Sequence, residues 1–291
     1  MLREAVSAAA VAGMACLARS EYEKRHFVVE ASEVVSGKLK KDRTLVFLSD
    51  LHNNEFGPDN RRLVAAIDEI GPDAVLIGGD MMVVKGGRDI HIPLRLIRQL
   101  ASRYPVYCGN GNHENRMTWE RGVYGGLYEE YKGALTGCGV TYLEDATAGL
   151  GEDILISGAD LDQAFYDKAL FRRVPEMPET YLEGKLGSSC GEDGPVRFRI
   201  LLAHSPLYFA AYAGWGADLT LAGHFHGGTI RLPHLGGVMT PQYQFFLPWC
   251  AGDFEYEGKR MMVSRGLGTH SINIRLNNRP QLLVVRLKAA P

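Results

Sequence analysis

No two of the five cysteines, Cys16, Cys108, Cys138, Cys190 and Cys250, stand close enough to form a CxxC pair. That absence excludes a zinc ribbon and a dithiol redox motif. An odd, scattered set also gives no disulfide framework, so reduced thiols in a cytoplasmic setting are expected. An excess of one charge is missing too. Thirty-two Lys and Arg against 34 Asp and Glu leave a net charge of −2, with no basic stripe, and no nucleic-acid partner is expected.

No apolar run reaches the roughly 20 residues that a membrane span needs. The nearest is residues 5–18, small and apolar apart from Ser7, between Arg3 and Arg19. Three readings stay open for it: a helix packed on the domain or lying on a membrane surface, an export or anchoring segment, or disorder. Gly13-Met14-Ala15-Cys16 lacks the large aliphatic residue of a lipoprotein cleavage site. Repeats, low-complexity tracts and linkers are also absent. With 46% hydrophobic residues among 291, the chain can build the core of one large α/β domain. We divide it into an apolar N-terminal helix, residues 1–20, and a single domain, residues 21–291.

What is present begins at Thr44. Thr44-Leu45-Val46-Phe47-Leu48 has the pattern of a strand buried on both faces, and polar residues take over at Ser49-Asp50-Leu51-His52. A strand edge alternates faces with a period of two, so Asp50 and His52 are expected to point the same way while Leu51 points back. Gly57-Pro58-Asp59 starts a helix with Leu63, Ala66, Ile67 and Ile70 at helical spacing. A second apolar strand, Ala74-Val75-Leu76-Ile77, runs into Gly78-Gly79-Asp80. This βαβ unit predicts parallel neighbours with their carboxyl ends on one edge. The pattern continues with a helix over 92–101, a strand over 105–108 running into Gly109-Asn110-Gly111-Asn112-His113-Glu114, and a helix over 119–136. Strands are predicted over 140–143, 154–157, 196–203 (ending at His204) and 218–222 (ending at Gly223-His224-Phe225-His226). Shorter ones are predicted over 26–30, 33–35, 229–232, 260–264 and 281–287, and residues 162–194 read as a helix plus a mobile loop.

Five strands thus end in metal-competent residues: Asp50 and His52, Asp80, Asn112 and His113, His204, and His224 and His226. Each has a plain alternative. Asp80 could cap a turn, His204 could be a core histidine bonded to backbone, and residues 109–114 could be a glycine-rich turn. Their coincidence at the strand ends, where open α/β sheets bind ligands, makes a shared metal site the better reading. Carboxylate, amide and imidazole donors suit Mn, Fe or Zn and exclude a thiolate site. His26, His91, His234 and His270 read as surface or structural residues.

The ordered blocks Asp-Leu-His (50–52), Gly-Gly-Asp (78–80), Gly-Asn-His-Glu (111–114), His204 and Gly-His-Phe-His-Gly-Gly (223–228) resemble the calcineurin-like metallophosphoesterase superfamily. With the apolar N-terminus and Ser-Arg-Gly-Leu-Gly at 264–268, the chain is similar to its bacterial membrane-associated phosphodiesterases of the YkuE/YaeI type. The resemblance implies a four-layer α/β fold, two β-sheets packed face to face and flanked by helices. It implies two divalent metal ions, one held by Asp50, His52 and His226, the other by Asn112, His204 and His224, with Asp80 bridging. It further implies hydrolysis of a phosphoester by a metal-bridging hydroxide, with His113 as general acid. The substrate would be a phosphoester small molecule or a lipid-linked phosphate, and a membrane surface a further partner. The Asp-Arg-Gly continuation of the family's protein phosphatases is missing after Asp80. That favours a phosphodiester or pyrophosphate over a phosphomonoester, with Arg116 a candidate phosphate contact. Phe225 replaces a small hydroxyl residue between two ligands. The apolar segment 241–249 reads as loop-anchoring core or as a hydrophobic rim for an acyl or nucleoside group or for a membrane surface. A phosphomonoesterase, a nuclease and a non-catalytic scaffold remain the alternatives.

Overall fold

Alternation along Leu45-Val46-Phe47-Leu48 sets the layers, because all four side chains are buried and successive ones face opposite ways. Leu45 and Phe47 pack in one core with Leu76, Ile200, Leu202 and Leu221. Val46 and Leu48 pack in another with Leu63, Ile67, Ile97 and Leu100. The computed structural model in which these packings are seen describes residues 1–167, 174–189, 196–269 and 272–290. Cys190, His270 and much of the loop expected before residue 194 lie outside the described residues.

In chain order the strands are β1 (Val28–Ser36), β2 (Arg43–Leu48), β3 (Ala74–Ile77), β4 (Val106–Gly109), β5 (Thr141–Leu143), β6 (Ala146–Leu150), β7 (Ile154–Ala159), β8 (Phe198–Ala203) and β9 (Leu219–Ala222). A two-residue ribbon, β10 (Arg231–Leu232) with β11 (Gly236–Gly237), precedes β12 (Gly252–Tyr256), β13 (Lys259–Val263) and β14 (Gln281–Ala289). The helices are α1 (Leu2–Lys24), α2 (Arg61–Ile70), α3 (His91–Ala101), α4 (Asn112–Trp119), α5 (Arg121–Tyr124), α6 (Leu127–Thr136), α7 (Tyr181–Leu186) and α8 (Phe209–Trp215).

Two mixed six-stranded sheets result, in the orders β1-β14-β2-β3-β4-β5 and β12-β13-β9-β8-β7-β6. They share the core of Leu45 and Phe47. α2, α3 and α6 cover the outer face of the first sheet, while Leu201 and Ala203 of the second pack against Tyr212 and Trp215 of α8. This is the expected helix–sheet–sheet–helix layering. The predicted parallel βαβ unit is there: β2 pairs with β3, and β3 with β4, in parallel.

Several elements differ from expectation. The two strands predicted over 26–30 and 33–35 are one, because β1 pairs with β14 in parallel along all its length and no break intervenes. The helix predicted over 119–136 is divided: α5 stops at Gly125, whose φ is 60°, and α6 starts after Gly126. α4 lies before it, where a turn was expected. β6 and β12 had no counterpart in the prediction. α7 and a 3-10 turn over Gln163–Tyr166 are the described structure of the 162–194 segment.

The two sheets are tied at one end by a buried ion pair. Arg43 at the start of β2 donates two hydrogen bonds to Asp153, at 2.6 and 3.0 Å. Those bonds hold the Asp153 carboxyl at about 2, below its usual 3.8. A carboxyl depressed in the folded chain contributes stability above its unfolded pKa and loses it as pH falls through the folded value. Asp153→Asn should therefore cost about 3–5 kcal/mol by urea denaturation at pH 7, the cost of orphaning a buried partner. The difference between variant and unsubstituted chain should shrink as pH falls from 3.8 towards about 2.

Candidate metal centre

The expected ligands arrive at the site by a different route from strand alternation. β2 ends at Leu48, and Asp50, His52 and Asn53 then take left-handed φ values of 52°, 48° and 57°. Asp80, His224 and His226 do the same, at 53°, 65° and 51°. Non-glycine residues in this region each cost on the order of 1 kcal/mol, so the surroundings must impose it. They do so by backbone pairing: the amides of Asp50, His52 and Asn53 donate to the carbonyls of Gly79, Asp80 and Met81 at 2.9–3.1 Å. The loops after β2 and β3 are thereby zipped together.

Glycines let the loops approach. A Cβ on Gly223 or Gly266 would run into the Asp50 side chain, and one on Gly111 into the Asp80 carboxylate. Asp50 accepts the amide of His224 at 3.0 Å, and Asp80 accepts that of His113 at 2.7 Å. Each carboxylate from the first sheet is thus seated against the backbone of another ligand-bearing loop.

The imidazoles present defined nitrogens. Nδ1 of His204 lies 2.7 Å from the Gly78 carbonyl and Nδ1 of His226 lies 3.2 Å from that of Gly268. A carbonyl accepts only, so both Nδ1 atoms carry a proton and both Nε2 atoms are turned inward as the candidate ligating nitrogens. Nε2 of His204 sits 3.2 Å from Asp80 Oδ2 and 3.7 Å from Asp50 Oδ1. Nε2 of His226 is 3.3 Å from Asp50 Oδ1 and 3.0 Å from Nε2 of His52, which is itself 3.7 Å from Asp80 Oδ2. Donor atoms of Asp50, His52 and His226 lie within 4.8 Å of one another, as do those of Asp80, His204 and His224. A third such set joins His52, Asp80 and His113.

These separations fit divalent ions. Ligand bonds of about 2.0–2.2 Å put donors on one ion roughly 3–4 Å apart. Asn112 stands between Gly111 and His113, both of which abut Asp80, and its buried Oδ1 has no hydrogen-bond partner.

Charge follows the same geometry. Burial raises the Asp50 carboxyl to about 6, with Asp80 adding to the effect. Burial works against a charged Asp80 too, but His204, His113 and His52 outweigh it and hold that carboxyl low. For His204 burial is likewise outweighed, here by Asp80 and Asp50, which raise it to about 10. Two buried carboxylates are pulling positive charge into a dry site.

His113 behaves otherwise. Burial lowers it to about 4, and its Nδ1 accepts the Val84 amide at 3.0 Å. The ring is therefore neutral at neutral pH, with its proton on Nε2. It meets His52 edge to face, centroids 5.0 Å apart.

Three contributors were given no role in the sequence reading, though Glu114 stands in one of its motifs. Glu114, buried, accepts the amides of Asp80, Met81 and Gly111 at 2.7–3.0 Å and so fixes the β3 and β4 loops together. Its signal was the Glu three residues into a helix, a capping box, legible only once α4 is recognised. The Tyr166 ring packs edge to face on His224, centroids 5.1 Å apart, and its buried hydroxyl has no hydrogen-bond partner. Arg275, fully buried, donates to the carbonyls of Gly268, Arg265 and Asn278. Neither residue stands in a motif. Arg116 bonds the Val84 carbonyl at 3.4 Å and lies 3.6 Å from Glu120. His91 and His234 are exposed, and His26 faces the Tyr22 carbonyl.

Known proteins resemble this chain over most of its length. The chain is 27% identical to the metallophosphoesterase YkuE of Bacillus subtilis strain 168 over 248 residues, 84% of this chain and 79% of that protein. It is 26% identical to the phosphodiesterase YaeI of Escherichia coli K12 over 250 residues, 84% and 81% of the two. Among solved structures, TT1561 of Thermus thermophilus overlaps with a TM-score of 0.43 at 12% identity, over 77% of this chain and 90% of that one. The profile of the calcineurin-like phosphoesterases matches residues 43–228, which span every candidate ligand described above. The chain belongs to the calcineurin-like phosphoesterase family.

Proposed function

We propose that this protein is a dinuclear-metal phosphodiesterase. The observation that carries the reading is the pair of donor sets, Asp50–His52–His226 and Asp80–His204–His224, facing each other across two carboxylates. Asp50, His52 and His226 would hold one ion, and Asn112, His204 and His224 the other. Asp80, whose Oδ2 lies 3.7 Å from His52 and 3.2 Å from His204, would serve both. When bound, Mn, Fe or Zn ions in these positions supply an activated water and neutralise the phosphoryl oxygens.

The chain's own groups do the rest. His113 offers an N–H from Nε2 to the leaving oxygen, and the Tyr166 hydroxyl is free to bond a phosphoryl oxygen. Glu114 keeps Asp80 and His113 in register. A diester is favoured over a monoester because the Arg116 guanidinium is committed to Val84 and Glu120, leaving the extra negative charge of a monoester without that partner.

A groove lined by Phe225, Met239, Pro241, Tyr243, Ile272 and Ile274 adjoins His226. It supports a substrate with an apolar alcohol, lipid-linked phosphates included. No helix among the described residues is long and apolar enough to cross a membrane.

The test is hydrolysis of bis-p-nitrophenyl phosphate beside p-nitrophenyl phosphate, before and after EDTA and on Mn²⁺ addition. The diester should be cleaved faster, EDTA should abolish the rate, and Mn²⁺ should restore it. A preference for the monoester, or a rate indifferent to EDTA, overturns the proposal.

A further inference from the structure

The last turn of α1 reaches the site. Most of this helix stands clear of the domain: Val6, Val11, Met14 and Leu17 are 58–62% exposed. Among its described side chains, Ser20 and Glu23 are buried, at 2% and 0%. The Ser20 hydroxyl accepts the Arg275 amide at 3.0 Å. The Glu23 carboxylate accepts the Asn278 amide at 2.8 Å, with Arg19 on its other oxygen at 2.7 Å.

From there the contacts run inward. Asn278 donates from its side chain to the His226 carbonyl at 2.7 Å. Arg275 donates to the Gly268 carbonyl, the same carbonyl that takes the Nδ1 proton of His226. The backbone and ring of His226 are therefore both held by residues that α1 holds. The cleft beside His52, about 640 Å³ of open space, is walled by Glu21, Lys24 and Arg25 as well as by Gly268 and Thr269.

We infer that Ser20 and Glu23 are positioning residues of the metal centre, acting on His226 through Arg275 and Asn278. Outer contacts of this kind fix the tautomer and aim of a ligating imidazole, and their loss costs about 10–100-fold in metal affinity. The inference rests on the two-metal reading above and adds that the N-terminal helix is part of the site's framework. It also predicts an asymmetry. Only the ion at Asp50, His52 and His226 depends on α1, because the chain of contacts from the helix ends at His226 and not at His204 or His224.

The test is Mn²⁺ titration of the metal-free, full-length chain by calorimetry, with Glu23→Ala, Glu23→Gln and Asp153→Asn beside it. Glu23→Ala should weaken one of two Mn²⁺ sites about 10–100-fold and leave the other within about twofold. Glu23→Gln keeps an acceptor for the Asn278 amide and should restore both. Asp153→Asn, remote from the site, should lower the melting temperature with both affinities intact. Should Glu23→Ala not fold, Ser20→Ala, which removes one acceptor, decides by the same asymmetry. Two affinities unchanged, or both weakened alike, overturn this inference alone. No Mn²⁺ uptake by the unsubstituted chain overturns the two-metal reading and this inference with it.

Discussion

Asp80→Asn should lower kcat for bis-p-nitrophenyl phosphate by about a thousandfold or more, since charge stabilisation by bound ions is worth several kcal/mol and each 1.4 kcal/mol is tenfold. The substitution is nearly isosteric. An asparagine can still accept the His113 amide through Oδ1, as Asp80 does at 2.7 Å, so the backbone of the loop should stay in place. What changes is the other oxygen. Oδ2 faces Nε2 of both His52 and His204, and an NH₂ there would donate where a lone pair is needed. Circular dichroism and the melting temperature should stay close to those of the unsubstituted chain, while metal content by mass spectrometry falls. A variant that keeps both its ions and its rate would remove Asp80 from the bridge.

His113→Asn tests the leaving-group role with little disturbance of structure. Its side-chain oxygen can take over from Nδ1 as acceptor for the Val84 amide, while the Nε2 proton is lost. A neutral ring stabilises the departing oxygen by a hydrogen bond, and one such donor aimed at developing charge is worth about 10²–10³-fold. That loss should appear in full on a diester with a simple alkyl alcohol, whose oxygen carries a concentrated negative charge as it departs. p-Nitrophenolate spreads its charge into the ring, so bis-p-nitrophenyl phosphate should lose about tenfold or less. Equal losses on both substrates would assign His113 to binding or to metal retention instead. The ring's neutrality, set by burial, is what makes it a hydrogen-bond donor of fixed direction rather than a mobile charge.

The layering was legible in the sequence wherever an element is buried on both faces. β3 is Ala74–Ile77 in prediction and structure alike, because Gly71-Pro72 and Gly78-Gly79 punctuate an unbroken apolar run. β6 and β12 were not legible. Both are outer strands of the second sheet, half exposed, and the period-two alternation in Ala-Thr-Ala-Gly-Leu or Gly-Asp-Phe-Glu-Tyr is short, glycine-bearing and built on few large apolar residues, too weak to read alone. α4 was hidden by its composition: Asn112 and His113 are poor helix formers, and the helix is set by Glu114 capping its first turn.

The residues brought together at the site could be named from their order along the chain. Their geometry could not. Asp50 and His52 face the same way through left-handed turns held by the β3 loop, an arrangement that no strand periodicity describes. The Glu23–Asn278 and Ser20–Arg275 contacts join residues 255 positions apart, and a single sequence gives no sign of such pairs.

The sheet order carries a consequence for biosynthesis. β14 lies between β1 and β2, parallel to one and antiparallel to the other. Until residues 281–289 leave the ribosome, the strand that leads to Asp50 and His52 has an open hydrogen-bonding edge, and β1 lacks its partner strand. Open edges of this kind recruit other chains, and pairings this distant in sequence close late. Every candidate ligand is therefore translated well before the sheet that aims the first two can be completed. The nascent chain must hold an unfinished sheet out of aggregation until β14 slots in.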